Sequence, residues 1–191
     1  MKIVFLGNPN VSVSILDTLL KTKHDIVGVV SNSPKISGRG LKKRYTPVGL
    51  YAINKKLDLL CLSSFKDEKL YRALKKLDPD LFIVVAFKII PQKFLNLPKY
   101  GAINLHASLL PSYRGASPIQ YALLNGDKKS GVTTFLMDDK IDNGKILMQK
   151  EFNINDDDNY ESLIKKVESY GSDLVIKSID SIASNSKYKK Q

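Results

Sequence analysis

The chain has 191 residues, 43% of them hydrophobic, with 30 Lys and Arg against 19 Asp and Glu, a net charge of +11 and a pI near 9.6. That length and apolar content suit one globular domain with a full core. A single cysteine, Cys61, excludes an internal disulfide framework, two histidines far apart (His24 and His106) speak against a metal cluster, and the charge excess favours a polyanionic partner.

Apolar runs alternate with helical patterns from the first residues onward. The opening Met1-Lys2-Ile3-Val4-Phe5-Leu6-Gly7 has too short an apolar run for a signal peptide and reads as the first strand of a cytoplasmic protein. No stretch approaches the roughly 18 apolar residues of a membrane helix. The turn after this strand, Gly7-Asn8-Pro9-Asn10-Val11, lacks Gly-x-Gly-x-x-Gly, which argues against a dinucleotide cofactor.

Ile15, Leu16, Leu19 and Leu20 form a helical stripe, and Leu70, Ala73, Leu74 and Leu77 form another. Strands are expected near 2–6, 26–31, 59–62, 81–86, 101–105, 131–138 and 145–152. The runs 26–30 and 81–86 are continuously apolar, as in strands covered on both faces. Alternating strands and crossover helices imply an α/β fold, a doubly wound, mostly parallel sheet with helices on both faces. Cys61, inside Leu59-Leu60-Cys61-Leu62, reads as a buried thiol, and His24, after Lys21 and Lys23, as a solvated residue near a helix C-terminus.

Residues 34–56 hold seven Lys or Arg and no acidic residue. Gly38-Arg39-Gly40 surrounds one guanidinium with flexible backbone, and Lys42, Lys43 and Arg44 form a phosphate-attracting cluster. The segment is expected to order only on binding.

Residues 101–118 run Gly-Ala-Ile-Asn-Leu-His-Ala-Ser-Leu-Leu-Pro-Ser-Tyr-Arg-Gly-Ala-Ser-Pro. Asn104 and His106 are two apart at the end of an apolar run, so an extended strand points both to the same face. If Asp142, in Ile141-Asp142-Asn143-Gly144, returns to that face, the site has an oxyanion donor, a proton carrier and a carboxylate to orient it. After it, Ser117, Pro118 and Gln120 suggest a capping box, and Asn125-Gly126 a helix end. Leu163, Val167, Tyr170 and Leu174, continued by Val175, Ile179 and Ile182, predict a long amphipathic helix following Asp156-Asp157-Asp158. Residues 184–191 carry no packing pattern.

As a string, this segment resembles the folate-dependent formyltransferase family, and the resemblance extends from Lys2 to about Ile182. It implies a Rossmann-like formyltransferase fold over residues 1–183, with 184–191 as a tail and without the β-barrel domain that some members carry after it. It implies Asn104, His106 and Asp142 as catalytic residues and 10-formyltetrahydrofolate as co-substrate, with no metal. Ser108, Leu109, Leu110 and Pro111 correspond to the family's folate-contact loop. Ala86, Phe87 and Lys88 fall in its pterin loop, where Lys88 replaces a common Gly and raises a question of backbone geometry. The order Pro, Gly-Arg-Gly, Lys-Lys, Thr-Pro-Val is similar to the loop of the members that formylate methionyl-initiator tRNA. That likeness implies Arg39 as a tRNA contact and Lys42 and Lys43 as charges that position the phosphate backbone. A small-amine acceptor, glycinamide ribonucleotide or an amino sugar, needs the same three catalytic residues but not the basic loop, and a non-catalytic RNA-binding module needs only the loop. No oligomerisation signal is present, so a monomer is expected.

Overall fold

The computed structural model describes residues 1–37 and 42–184, with Ser37 and Lys42 described by backbone alone. In chain order the elements are β1 (Lys2–Gly7), α1 (Asn10–Leu19), β2 (Asp25–Asn32), β3 (Lys35–Ser37), β4 (Lys42–Arg44), α2 (Pro47–Asn54), β5 (Leu59–Leu62) and α3 (Glu68–Lys76). They continue as β6 (Leu81–Val85), α4 (Gln92–Leu95), β7 (Ala102–His106), α5 (Pro118–Leu124), β8 (Lys129–Leu136), β9 (Lys145–Asn153) and α6 (Tyr160–Ser184).

Seven strands form one sheet in the order β5-β2-β1-β6-β7-β8-β9. The first five are mutually parallel, and β8 and β9 are added antiparallel. The central strands β1 and β6 are almost continuously apolar because the pleat sends alternate residues into two different cores. On β1, Ile3 and Phe5 enter one core while Val4 and Leu6 enter the other, and on β6 Leu81, Ile83 and Val85 oppose Phe82 and Val84 in the same way. The first core is closed by α1, α2, α5 and α6 through Ile15, Leu16, Val48, Ile119, Val167 and Val175. The second is closed by α3 and α4 through Leu70, Leu74, Phe94 and Leu95. Burying one such side chain is worth about 1.5–3 kcal/mol, so both helical layers are needed to hold the central strands.

Helix ends follow local chemistry where the sequence supplies it. Thr46 caps α2 by accepting from Gly49 N–H at 3.0 Å, with Pro47 in the first turn. Asp67 caps α3 at Lys69 N–H, and Lys75 and Lys76 sit in its last turn, where the helix dipole favours cations. Asn159 Oδ1 accepts from the amides of Glu161 and Ser162 at the start of α6.

Four expectations are corrected here. Ser117 precedes α5 in the left-handed conformation (φ 63°) and makes no capping bond, so its side chain is not aimed at the helix amides. Cys61 is exposed, because β5 is the sheet's edge strand and leaves one face open. His24 is buried: α6 crosses it, bringing Asp180 Oδ1 to 3.7 Å from Nε2, while Nδ1 has no partner. Part of the basic segment is a built antiparallel hairpin, β3 with β4, leading into α2. Residues 38–41, with Arg39 and the two glycines around it, lie outside the described residues.

Candidate active site

The strand order reverses between β1 and β6, since the chain runs from β1 outward to β2 and β5 and then returns to β6 and β7 on the other side. In open α/β sheets the crevice at such a point, at the carboxyl ends of the strands, collects ligands. Here it is a cavity of about 1070 Å³. Its walls come from Pro9–Val11 after β1, 84–90 at and beyond the end of β6, Asn104–Ala107 at the end of β7, 115–120 leading into the first turn of α5, 137–142 after β8, and Tyr160, Ile164 and Val167 of α6.

Asn104 and His106 leave β7 into this cavity, as the two-residue spacing requires, and Asp142 meets them from the loop after β8. His106 Nδ1 lies 3.6 Å from Asp142 Oδ2, and Asn104 Nδ2 lies 3.5 Å from Asp142 Oδ1. Both separations are long for hydrogen bonds, whereas the contacts that hold Asp142 from behind are short. Gly115 N–H donates to Oδ2 at 2.8 Å, and Arg114 Nε–H donates to the Asp142 carbonyl at 3.0 Å. The carboxylate is therefore anchored by the 114–115 turn, and its looser contacts face the space in which a ligand would sit.

The imidazole is fixed with comparable firmness. His106 is 6% exposed, and its Nε2 is 2.7 Å from the Tyr113 carbonyl oxygen, which can only accept. Nε2 carries a hydrogen, and Nδ1 is the position at which a proton can be held or released. Three consecutive residues thus hold both ionisable groups: the Tyr113 carbonyl on His106, and Arg114 and Gly115 on Asp142. The backbone of the site loops is unusual, with positive φ at Tyr113 (55°), Gly115 (88°), Ser117 (63°) and Asp142 (46°). Such conformations cluster at functional sites because the surrounding structure must enforce them. The loop after Asp142 depends on Gly144, where a Cβ would lie 1.7 Å from the Leu136 carbonyl oxygen, so only glycine lets the chain pass so close to β8.

Of the residues singled out from sequence, Ala86, Phe87 and Lys88 line the cavity. The left-handed residue in that loop is Ala86 (φ 46°); Lys88 is not among the positive-φ residues, so its replacement of glycine imposes no such strain. Ser108, Leu109, Leu110 and Pro111 do not line the cavity. They lie against β8 and β9: Thr133 Oγ1 donates to the Ser108 carbonyl and accepts from Leu110 N–H, Gln149 Nε2 donates to the Leu110 carbonyl, and Leu109 packs where Gly131 lacks a side chain. Lys43 is exposed on β4, and Lys42 pairs with Ser37 by backbone in the same hairpin. Sequence reasoning missed Tyr113, Arg114, Gly115 and Gly144 as site residues; the Tyr-Arg-Gly turn directly after the loop and the glycine two beyond Asp142 were the available signals.

Among the described residues no group of three or more His, Cys, Asp or Glu is placed to hold a metal ion, and no helix is long and apolar enough to cross a membrane. An Asn–His–Asp set at the carboxyl edge of a mostly parallel sheet can supply the donor, proton carrier and carboxylate that acyl-type group transfer uses. The formyl transferase family model matches residues 1–179, and the chain belongs to that family. A methionyl-tRNA formyltransferase of Flavobacterium psychrophilum is 47% identical over 184 residues, covering 96% of this chain and 58% of the relative. The chain thus spans about three-fifths of the length of that relative. Among solved structures, phosphoribosylglycinamide formyltransferase from Anaplasma phagocytophilum superposes with a TM-score of 0.79 at 25% identity, over 96% of this chain and 87% of that one. The sugar 3N-formyltransferase WlaRD, crystallised in the presence of dTDP and 5-N-formyl-THF, gives 0.70 at 25% identity, over 97% of this chain and 64% of that one.

Proposed function

We propose that this chain carries the catalytic centre, within residues 1–183, of a cytoplasmic enzyme that moves the formyl group of 10-formyltetrahydrofolate to the α-amino group of methionyl-initiator tRNA. The observation that carries the reading is the convergence of Asn104, His106 and Asp142 at one cavity in a chain of the formyl transferase family. The acceptor reading is supported by the relative at 47% identity, against 25% for the small-amine and sugar enzymes, and by the exposed cations of the β3–β4 hairpin. A chain acting alone, without a second subunit in the site, suffices for the residues involved.

The cavity suits this pair of reactants. At about 1070 Å³ it matches or exceeds the ~300–1,000 Å³ of pockets that hold one small ligand. Apolar Phe87, Ile90 and Met137 offer a wall for a flat ring system beside backbone groups of 84–88, and Val11, Ile119 and Ile164 form a separate wall on the other face of the sheet. When bound, the donor supplies an electrophilic formyl carbon. The Asn104 amide then donates to the oxygen on which negative charge develops as the amine adds, an interaction stronger in the transition state than before it. His106 holds or moves a proton at Nδ1, taking one from the incoming amine and returning one to the departing nitrogen, while its Nε2–H stays on the Tyr113 carbonyl. Asp142 orients the imidazole and balances its charge when Nδ1 is protonated.

A second reading keeps the chemistry and changes the acceptor to a small amine such as glycinamide ribonucleotide, favoured by the TM-score of 0.79 with an enzyme of that name. The salt dependence of transfer separates the two. With a tRNA acceptor, Arg39→Ala and Lys43→Ala each raise KM and reduce the slope of log(kcat/KM) against log salt by about one. Unchanged slopes in both variants would refute the tRNA assignment.

A further inference from the structure

The geometry points to Tyr113 as a positioning residue: its phenol, latched to the turn after α5, holds its own carbonyl on the catalytic imidazole. The Tyr113 hydroxyl donates to Asp127 Oδ2 at 2.6 Å and accepts from Asn125 Nδ2 at 2.8 Å. The same residue's carbonyl oxygen is 2.7 Å from His106 Nε2. One side chain therefore joins the C-terminal turn of α5 to the tip of β7 through a residue whose backbone is in the left-handed region. A non-glycine residue rests there only where its surroundings enforce it. The latch ties the side chain of Tyr113 itself to residues outside the 113–117 turn, as the Gly115 and Arg114 contacts tie the next two residues to Asp142. Its hydrogen bond to Asp127 also raises the phenol above its ordinary pKa, keeping it a donor through the neutral range.

The latch selects a tautomer. A neutral imidazole carries its hydrogen on the nitrogen whose neighbour accepts it. Both neighbours accept, but the Tyr113 carbonyl is 2.7 Å from Nε2 while Asp142 Oδ2 stands 3.6 Å from Nδ1, so the nearer acceptor takes the hydrogen and Nδ1 stays open toward the cavity. Releasing the phenol frees the carbonyl to move, and the imidazole then samples the opposite tautomer, in which Nδ1 is blocked as a base. The loss falls on the chemical step and not on ligand affinity, because the hydroxyl, Asn125 and Asp127 do not line the cavity.

The rate consequence rests on the formyl-transfer reading; the tautomer consequence does not. The test uses the full chain labelled with ¹⁵N-histidine, with His24 and His106 as its two signals, observed where imidazoles are neutral. In the wild type His106 is expected as the Nε2–H form, and in Tyr113→Phe as a mixture with faster exchange of that hydrogen. In the transfer assay kcat falls about tenfold with KM changed by less than about twofold, the size of one well-made hydrogen bond lost at the transition state. Asp127→Asn retains an acceptor and behaves as wild type, while Asp127→Ala, at an independent position, reproduces Tyr113→Phe. A wild-type tautomer signal in both Tyr113→Phe and Asp127→Ala overturns the inference, as does a shifted tautomer with unchanged kcat. A shifted tautomer in a chain whose wild type transfers no formyl group would leave the latch standing and refute the reaction.

Discussion

Asp142 is bound more tightly to Gly115 than to His106 or Asn104. The Gly115 amide reaches its Oδ2 at 2.8 Å, while His106 and Asn104 stand at 3.6 and 3.5 Å. A carboxylate fixed from behind and loosely met in front is preorganised, and its working contacts can tighten around a ligand without moving the backbone.

On the proposed mechanism Asn104→Ala removes the donor to the developing oxyanion and trims one cavity-lining side chain. The expected loss is about 10²–10³ in kcat, the usual cost of one oxyanion donor, with little change in binding of a folate. Steady-state kinetics with fluorescence titration of the donor checks this. A rise in KM alone would place Asn104 in ground-state binding instead.

His106→Ala removes the proton carrier, and about 10²–10⁴ of the rate should go with it. Asp142→Asn keeps the shape and the Gly115 contact but removes the charge facing Nδ1. Its effect should be smaller in magnitude, and the double variant should be no slower than His106→Ala, because the carboxylate acts through the imidazole. Additive losses would contradict that arrangement.

Gly144→Ala should destabilise and inactivate together. The new Cβ meets the Leu136 carbonyl, backbone that cannot yield, so the loop carrying Asp142 must lift. At least ~1–3 kcal/mol of stability is expected to be lost, the range for overpacking. Thermal unfolding and kcat measured on the same sample would settle it; a wild-type Tm with wild-type rate would show that the loop has room.

Acid lability has a named source near the site. The Asp158 carboxyl is held down to about 2 from its ordinary 3.8, first by the hydrogen bond from Lys166, then by Ser162 and the Asn155 amide. A depressed carboxylate contributes stability that is full above its unfolded value and is lost as pH falls through the folded one. Asp158→Asn should therefore cost about 1 kcal/mol at pH 7, discounted for solvent around Lys166, and should converge with wild type as pH falls from about 4 toward 2. His24 adds an earlier component. Burial, and then the Met1 ammonium, lower its pKa, so its contribution is present above 6.5 and declines as pH drops below that. Chemical denaturation across pH reads both; a constant difference between Asp158→Asn and wild type down to pH 2 would contradict the first.

Much of this architecture is legible in the sequence because it is local. The seven strands of the main sheet and the stripes of α1, α3 and α6 follow from residue periodicity, and the approach of Asn104 to His106 from the strand repeat alone. What failed depended on neighbours far along the chain. Leu59-Leu60-Cys61-Leu62 reads as core, but strand order puts it at an edge, and no local pattern reports strand order. His24 sits among lysines, yet α6 arrives from more than 150 residues away to cover it. Ser117 has capping chemistry, but it stands left-handed directly after the turn that holds Asp142 and makes no capping bond, which the local pattern does not report.

Native Cys61 should react with a maleimide at nearly the rate seen in denaturant, without loss of formyl transfer, because it lies on β5, the edge opposite the catalytic strand's side of the sheet. Protection from labelling would mean that something covers that edge.

The most direct measurement is transfer of a labelled formyl group from 10-formyltetrahydrofolate to methionyl-initiator tRNA, run beside glycinamide ribonucleotide, with His106→Ala as control. Transfer to the tRNA that disappears in the variant is the predicted result. Transfer to glycinamide ribonucleotide alone would contradict the acceptor, and transfer that survives in His106→Ala would contradict the catalytic centre itself.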